Sequence, residues 1–363
     1  MNKINQMLKD RNIPDLLNGA NDKDSFTRRQ DEIRTLLANK MYGVIPPKPD
    51  HMTVEVVKEE LFAAGKAVKK DLNFICELDG VTFSFPAISV IPISDKKVPA
   101  FVNLCFFKDA QNKCTPAEEI IDNGFAIFSV YYKDVTSDDN DFKTGIAKYL
   151  VKSRRRANAS SKIALWAWAG MRIMDYVETL ESVDTENVAV IGHSRLGKTA
   201  LVTGGFDQRF AYVISNDSGC AGAAIERGKC GETYKVITDV FPFWFCPAFL
   251  ESVASGDEIL FDQHFLTALA VPRTLIIGSA MLDQWADPES EMLGALATNE
   301  AYELFGKRGL IHDGEMPKGN AILDEGDACY YIREGTHYLS RWDWNACCDI
   351  IKKKIYKQSK KES

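Results

Sequence analysis

The sequence predicts a three-layer α/β sandwich, with a central, mostly parallel sheet extended by antiparallel N-terminal strands. Three observations carry this. Alternating apolar and polar runs fill 52–93, short buried strands alternate with helical stretches after Lys97, and a long helix spans about 161–180.

The elements follow in order. Residues 5–39 are polar and helix-prone, and YGVIPPKP at 42–49 is a proline-punctuated extended stretch, so 1–50 reads as a helical arm packing on the main domain. Alternation at 53–58, 71–78 and 82–92 gives successive antiparallel strands. The buried runs 99–107, 125–132, 187–192, 212–215, 273–278 and 328–332 give the parallel sheet. Between the first two, Thr115 is expected to cap a helix with Pro116 at its first position and Glu118 and Glu119 at its positive end. A helix over 342–356 closes a single α/β domain spanning 51–358, and the lysine-rich 359–363 reads as a flexible tail.

Composition excludes several classes. Hydrophobic residues at 45% and charged residues at 26% rule out collagen-like, disordered and coiled-coil chains. Lys plus Arg number 44 against 51 Asp plus Glu, and the resulting charge of −7 repels polyphosphate, so no nucleic-acid partner is expected. Apolar runs such as 125–132 and 188–191 are strand-sized and fall far short of the ~20 residues of a spanning helix, so no membrane partner is expected either. The start MNKINQ lacks the apolar core of a signal peptide, and nine scattered cysteines without CxxC spacing read as reduced packing residues. A cytoplasmic monomer is the expectation, or a secreted one if a leader was removed.

The segment 192–199, GHSRLGKT, follows a buried strand and precedes a helix-forming run. Two chemistries compete for it. As G-x-x-x-x-G-K-[ST] it is a phosphate-cradling loop, with Lys198 on phosphates and Thr199 on magnesium. As a relaxed nucleophile elbow it places Ser194 on a tight strand-to-helix turn, with Gly197 one position later than the strict G-x-S-x-G pattern. At least two βα units precede it, and no apolar run ends in a magnesium-holding aspartate, so the elbow is favoured. An elbow belongs to an α/β-hydrolase, which places an acid and then a histidine on loops after later strands.

Of five histidines, His51 precedes the sheet and His264 lies in a helical, structural context. His193 is held by the elbow with its ring turned from Ser194, and His312 sits in a solvated loop. His337 follows the last strand and precedes the final helix, where the base belongs. Asp283, after the strand 273–278, and Asp217, after 212–215, are both candidates for the acid. Asp287 before Pro288 reads as a loop cap.

These residues resemble the glucuronoyl esterases, α/β-hydrolases that cleave esters between 4-O-methyl-glucuronic acid of xylan and alcohols of lignin. The family elbow, G-C-S-R-x-G-K-[GA], matches 192–199 except at His193 and Thr199. NDSGCAG at 216–222, GE at 231–232, DVFPFWFC at 239–246, DQWADP at 283–288 and HYLSRWDW at 337–344 extend the likeness over about 98–344. The resemblance implies Ser194 as nucleophile, His337 as base and Arg195 as oxyanion stabiliser, with Lys198, Glu232 and Trp285 binding sugar hydroxyls. In the family the acid occupies either place. Aspartate at 217 is one methylene shorter than the family's glutamate, which favours Asp283. Phe243 stands where bacterial relatives often carry histidine. The expected substrate is a small carbohydrate ester, with no metal or organic cofactor. The alternatives are an acetylxylan esterase and, more distantly, a nucleotide-binding protein.

Overall fold

The computed structural model describes residues 2–362, the side chains of 361 and 362 excepted. Ten strands form one sheet: β1 (His51–Phe62), β2 (Ala67–Leu78), β3 (Val81–Pro92), β4 (Val98–Cys105), β5 (Ala126–Tyr131), β6 (Val183–His193), β7 (Tyr212–Asn216), β8 (Thr274–Ala280), β9 (Ala321–Leu323) and β10 (Ala328–Arg333). Their spatial order is β1-β2-β3-β5-β4-β6-β7-β8-β10-β9. The run from β5 to β10 is parallel; β1, β2 and β3 join it antiparallel, and β9 pairs antiparallel with β10. This is an α/β-hydrolase fold.

The patterning explains the division. β2 and β3 alternate because only one face is covered: Phe74 and Phe85 are register partners on the core side, stacked at 5.0 Å. β7 and β8 are buried throughout, since helices cover both faces of a parallel sheet. The helix Lys162–Val177, capped by Ser161, fills one face with Trp166 and Trp168, and Trp344 packs on Phe101 across the other. Ile4, Phe26, Ile33 and Leu37 join the first of these cores, and Trp168 Nε1 donates to Pro47 O at 2.8 Å, so the N-terminal residues and proline stretch lie against that face.

Several local expectations are corrected. Pro116, not Thr115, holds the cap position of the helix Ala117–Asp122, and the Thr115 hydroxyl instead accepts from buried Asn103 Nδ2 at 3.2 Å. A long-range partner has taken the oxygen that local pattern assigned to the cap. His51 begins β1 instead of preceding the sheet, and the short edge strand β9 was not anticipated. The last helix runs Arg341–Glu362, through the positions expected as a tail; Ser363 lies outside the described residues. Seven of the nine cysteines are buried, and all nine are free. No described helix is long and apolar enough to cross a membrane.

Candidate active site

β6, β7, β8 and β10 end side by side, so the segments carrying Ser194, Asp217, Asp283 and His337 leave the same carboxyl rim. Ser194 links β6 to the helix Arg195–Phe206 at φ 56° and ψ −126°, a backbone conformation costly for any side chain. Neighbouring glycines make the turn possible. A Cβ on Gly192 would lie 2.0 Å from Leu196 O, and one on Gly197 would meet Ser218 Cβ at 3.0 Å and Asn216 O at 3.1 Å. The helix thus presses against the end of β7 at Gly197, which accounts for the displaced glycine of the motif. The Ser194 amide donates to Asn216 O at 2.9 Å. The Arg195 amide stands at the helix N-terminus, where N–H groups have no intrahelical acceptor.

The nucleotide reading of 192–199 fails on the same geometry. Lys198 is buried, its Nζ donating to Ser218 O at 2.5 Å and lying 3.9 Å from Glu232 Oε2. Thr199 Oγ1 donates to Arg195 O at 2.9 Å. Both groups a phosphate loop needs are turned into the protein.

His337 Nδ1 is 2.6 Å from Asp283 Oδ2, with the imidazole 44% exposed and the carboxylate buried. Burial pushes the Asp283 pKa up, but the bond to His337 and its charge outweigh this and hold the carboxyl below its ordinary value. The two loops are tied: Leu282 N–H donates to Gly335 O at 2.9 Å, and Met281 N–H to Arg333 O at 2.9 Å. Arg333, which sequence reasoning missed, bonds Asp343 Oδ2 at 2.8 Å through Nε and both carbonyls flanking the base, Thr336 O (2.8 Å) and Tyr338 O, through Nη2. Among the described residues no hydrogen bond joins Ser194 Oγ to His337. The ring centroid of His193 is 4.4 Å from that of His337, and His193 Nδ1 meets Asn216 Oδ1 at 2.6 Å. The His193 ring therefore packs against the base. Burial pushes its pKa down to about 3, so it is a neutral neighbour. His264 holds the structural place expected for it, bonding Pro14 O at 2.9 Å.

Asp217 lies against the same pair but is held differently. Its Oδ2 is 3.4 Å from Arg333 Nη2 and 3.9 Å from His193 Nδ1, and its buried Oδ1 has no partner. Burial, then the nearby Glu291 and Asp283 charges, push its pKa well up, against the pull of Arg333. Donor atoms of Asp217, Asp283 and His337 lie within 4.8 Å of one another. That spacing could admit a cation, yet Nδ1 is already engaged by Asp283 and Asp217 is driven towards its neutral form, which suits acid–base work better. Glu291 completes the cluster from the helix Pro288–Leu296, accepting from Ser279 Oγ (2.6 Å) and Gly219 N–H (2.9 Å); burial pushes its pKa up to about 7. The helix is capped as expected by Asp287, which accepts from Ser290 N–H.

Two further groups of side chains lie on neighbouring segments. Trp285 is 57% exposed, and its carbonyl accepts from Glu232 N–H at 3.1 Å. A Cβ on Gly231 would lie 2.4 Å from Trp285 O, so the Glu232 loop packs directly on the segment following Asp283. The Arg195 guanidinium lies over Trp244 (4.6 Å) and Phe241 (5.2 Å), with Phe243 edge-on to both rings.

The chain is similar to known proteins over most of its length. A family model described as "Glucuronyl esterase, fungi" matches residues 76–306. The chain is 32% identical over 360 residues to carbohydrate esterase MZ0003 from an unknown prokaryotic organism, covering 88% of this chain and 82% of that protein. It is 27% identical over 296 residues to the 4-O-methyl-glucuronoyl methylesterase of Hypocrea jecorina, covering 78% of this chain and 59% of the relative's length. The solved structure of a glucuronoyl esterase from Solibacter usitatus superposes with a TM-score of 0.86 at 30% identity, over 94% of this chain and 97% of that one. An α/β-hydrolase sheet, a strained serine turn and a histidine–aspartate pair on its rim thus belong to a carboxylic ester hydrolase of the glucuronoyl esterase family.

Proposed function

We propose that the chain hydrolyses esters of glucuronic acid, including its 4-O-methyl form, on small carbohydrates through an acyl-serine intermediate. The observation that carries the mechanism is the His337–Asp283 pair at 2.6 Å, on the same strand rim from which Ser194 leaves. Ser194 Oγ attacks the ester carbonyl while His337 Nε2 takes its proton, and Asp283 stabilises the imidazolium. Carbonyl π electrons pass to oxygen, and the Arg195 amide and guanidinium stabilise that charge. Collapse expels the alcohol, which receives the proton from His337. Water then repeats the sequence on the acyl-enzyme and releases the uronic acid. A Ser194–His337 bond that tightens only with substrate is ordinary for such sites. Glu232 and the exposed Trp285 would bind sugar hydroxyls, and Lys198, buried 3.9 Å from Glu232 Oε2, would act through that carboxylate.

The test uses methyl or benzyl glucuronate beside acetylated xylan. Ser194→Ala is expected to abolish release of glucuronic acid, and a fluorophosphonate is expected to label the peptide containing Ser194. Hydrolysis surviving the substitution would discard the nucleophile. Faster release of acetate than of glucuronic acid would favour the acetylxylan esterase.

A further inference from the structure

An arginine that stabilises a transient oxyanion must be held before the charge appears, because a free guanidinium loses the advantage of preorganisation and most of its rotamer entropy on engagement. The Arg195 guanidinium is held by one carboxylate. Asp138 Oδ2 accepts from Arg195 Nη1 and from Tyr132 OH (3.2 Å), and Oδ1 accepts from Trp244 Nε1 at 2.8 Å. The Asp138 side chain is 6% exposed. Trp244 also lies under the guanidinium, so the same indole fixes both partners.

The loop bearing Asp138 is anchored from behind. Lys162 is fully buried in the first turn of the helix Lys162–Val177, where a positive charge opposes the helix dipole. Its Nζ donates to Thr136 Oγ1 (2.8 Å), Ser137 Oγ (3.2 Å) and Asp141 O (2.5 Å), and forms no ion pair among the described residues. Trp166 Nε1 adds a bond to Thr136 O at 3.2 Å. Burying a lysine against neutral oxygens is expensive, and here all three bonds go to the segment on either side of Asp138.

We propose that Asp138 is the positioning residue for the Arg195 guanidinium, with Lys162 fixing the loop from which it acts. This rests on the reading of Arg195 as oxyanion stabiliser. The test is steady-state kinetics of the full chain on methyl glucuronate. Asp138→Asn, similar in size but uncharged, is expected to lower kcat roughly ten- to a hundredfold with KM within about twofold. In an Arg195→Ala background the same substitution is expected to cost nothing further. Lys162→Met is expected to lower kcat in the same way, and Lys162→Arg to restore part of it. If Asp138→Asn does not fold, Trp244→Phe keeps the ring and removes one donor, with an expected kcat loss of about three- to tenfold that also vanishes without Arg195. A loss carried undiminished into the Arg195→Ala background, or wild-type turnover in Asp138→Asn, overturns the proposal while leaving the serine mechanism intact. Turnover in Ser194→Ala would instead overturn the mechanism itself.

Discussion

Replacing Asp283 by asparagine keeps the size of the side chain but removes the charge 2.6 Å from His337 Nδ1, and an amide there invites the wrong imidazole tautomer. A unit charge about 4 Å from an imidazolium, through an effective dielectric of about 20, is worth about 4 kcal/mol, or roughly a thousandfold in kcat. Asp217 softens that loss. Its carboxyl lies within 4.8 Å of the same donor atoms, and Asp283 is one of the charges that push its pKa up. Without Asp283 it ionises more readily, and a carboxylate at that range would return about 3 kcal/mol if Arg333 did not already share it. Asp283→Asn is therefore expected to lower kcat roughly a hundredfold and Asp217→Asn less than about tenfold. The double variant is expected to fall by more than the product of the two. Initial rates at saturating methyl glucuronate, with melting curves to confirm folding, measure all three. Equal losses in the two single variants, or a double variant no slower than Asp283→Asn, would refute the reasoning.

Two other outcomes follow from packing and burial. Gly192→Ala brings a Cβ to 2.0 Å from Leu196 O and is expected to destabilise the chain by about 3 kcal/mol, read as a lower urea midpoint; an unchanged midpoint would mean that the turn relaxes freely. Glu291, pushed up to about 7 by burial, holds its proton longer when folded than when unfolded. Its stabilising contribution is complete below its ordinary value near 4.5 and is lost as pH rises through about 7, so Tm is expected to be lower at pH 8 than at pH 5. Glu291→Gln should flatten that slope, and an unaltered slope would assign the effect elsewhere.

The parts legible in sequence were those whose signal is local. Apolar alternation marked β2 and β3, continuous burial marked the parallel strands, and the displaced glycine at 197 still announced a strand-to-helix turn at Ser194. His337 and Asp283 could be named because chain order and the ends of strands restrict where such groups sit. What escaped was held by distance. Arg333 reads as an ordinary strand-end cation, and only the fold brings it to Asp343, Asp217 and the carbonyls around His337. Asp138 lies in a polar turn, and nothing nearby in sequence points to Arg195 or Trp244, which are 57 and 106 positions away. Thr115 shows the converse error: a good local cap was outbid by a buried asparagine.

The packing of Gly231 and Glu232 on the residues after Asp283 has an evolutionary implication. The groups proposed to grip the sugar and the carboxylate proposed to serve the base share one stretch of backbone, joined by the bond from the Glu232 amide to Trp285 O. A lineage, or a laboratory selection, that lengthens either loop to admit bulkier glycans would drag on Asp283 as well. Broader tolerance should then arrive with slower turnover until a compensating change re-seats the acid.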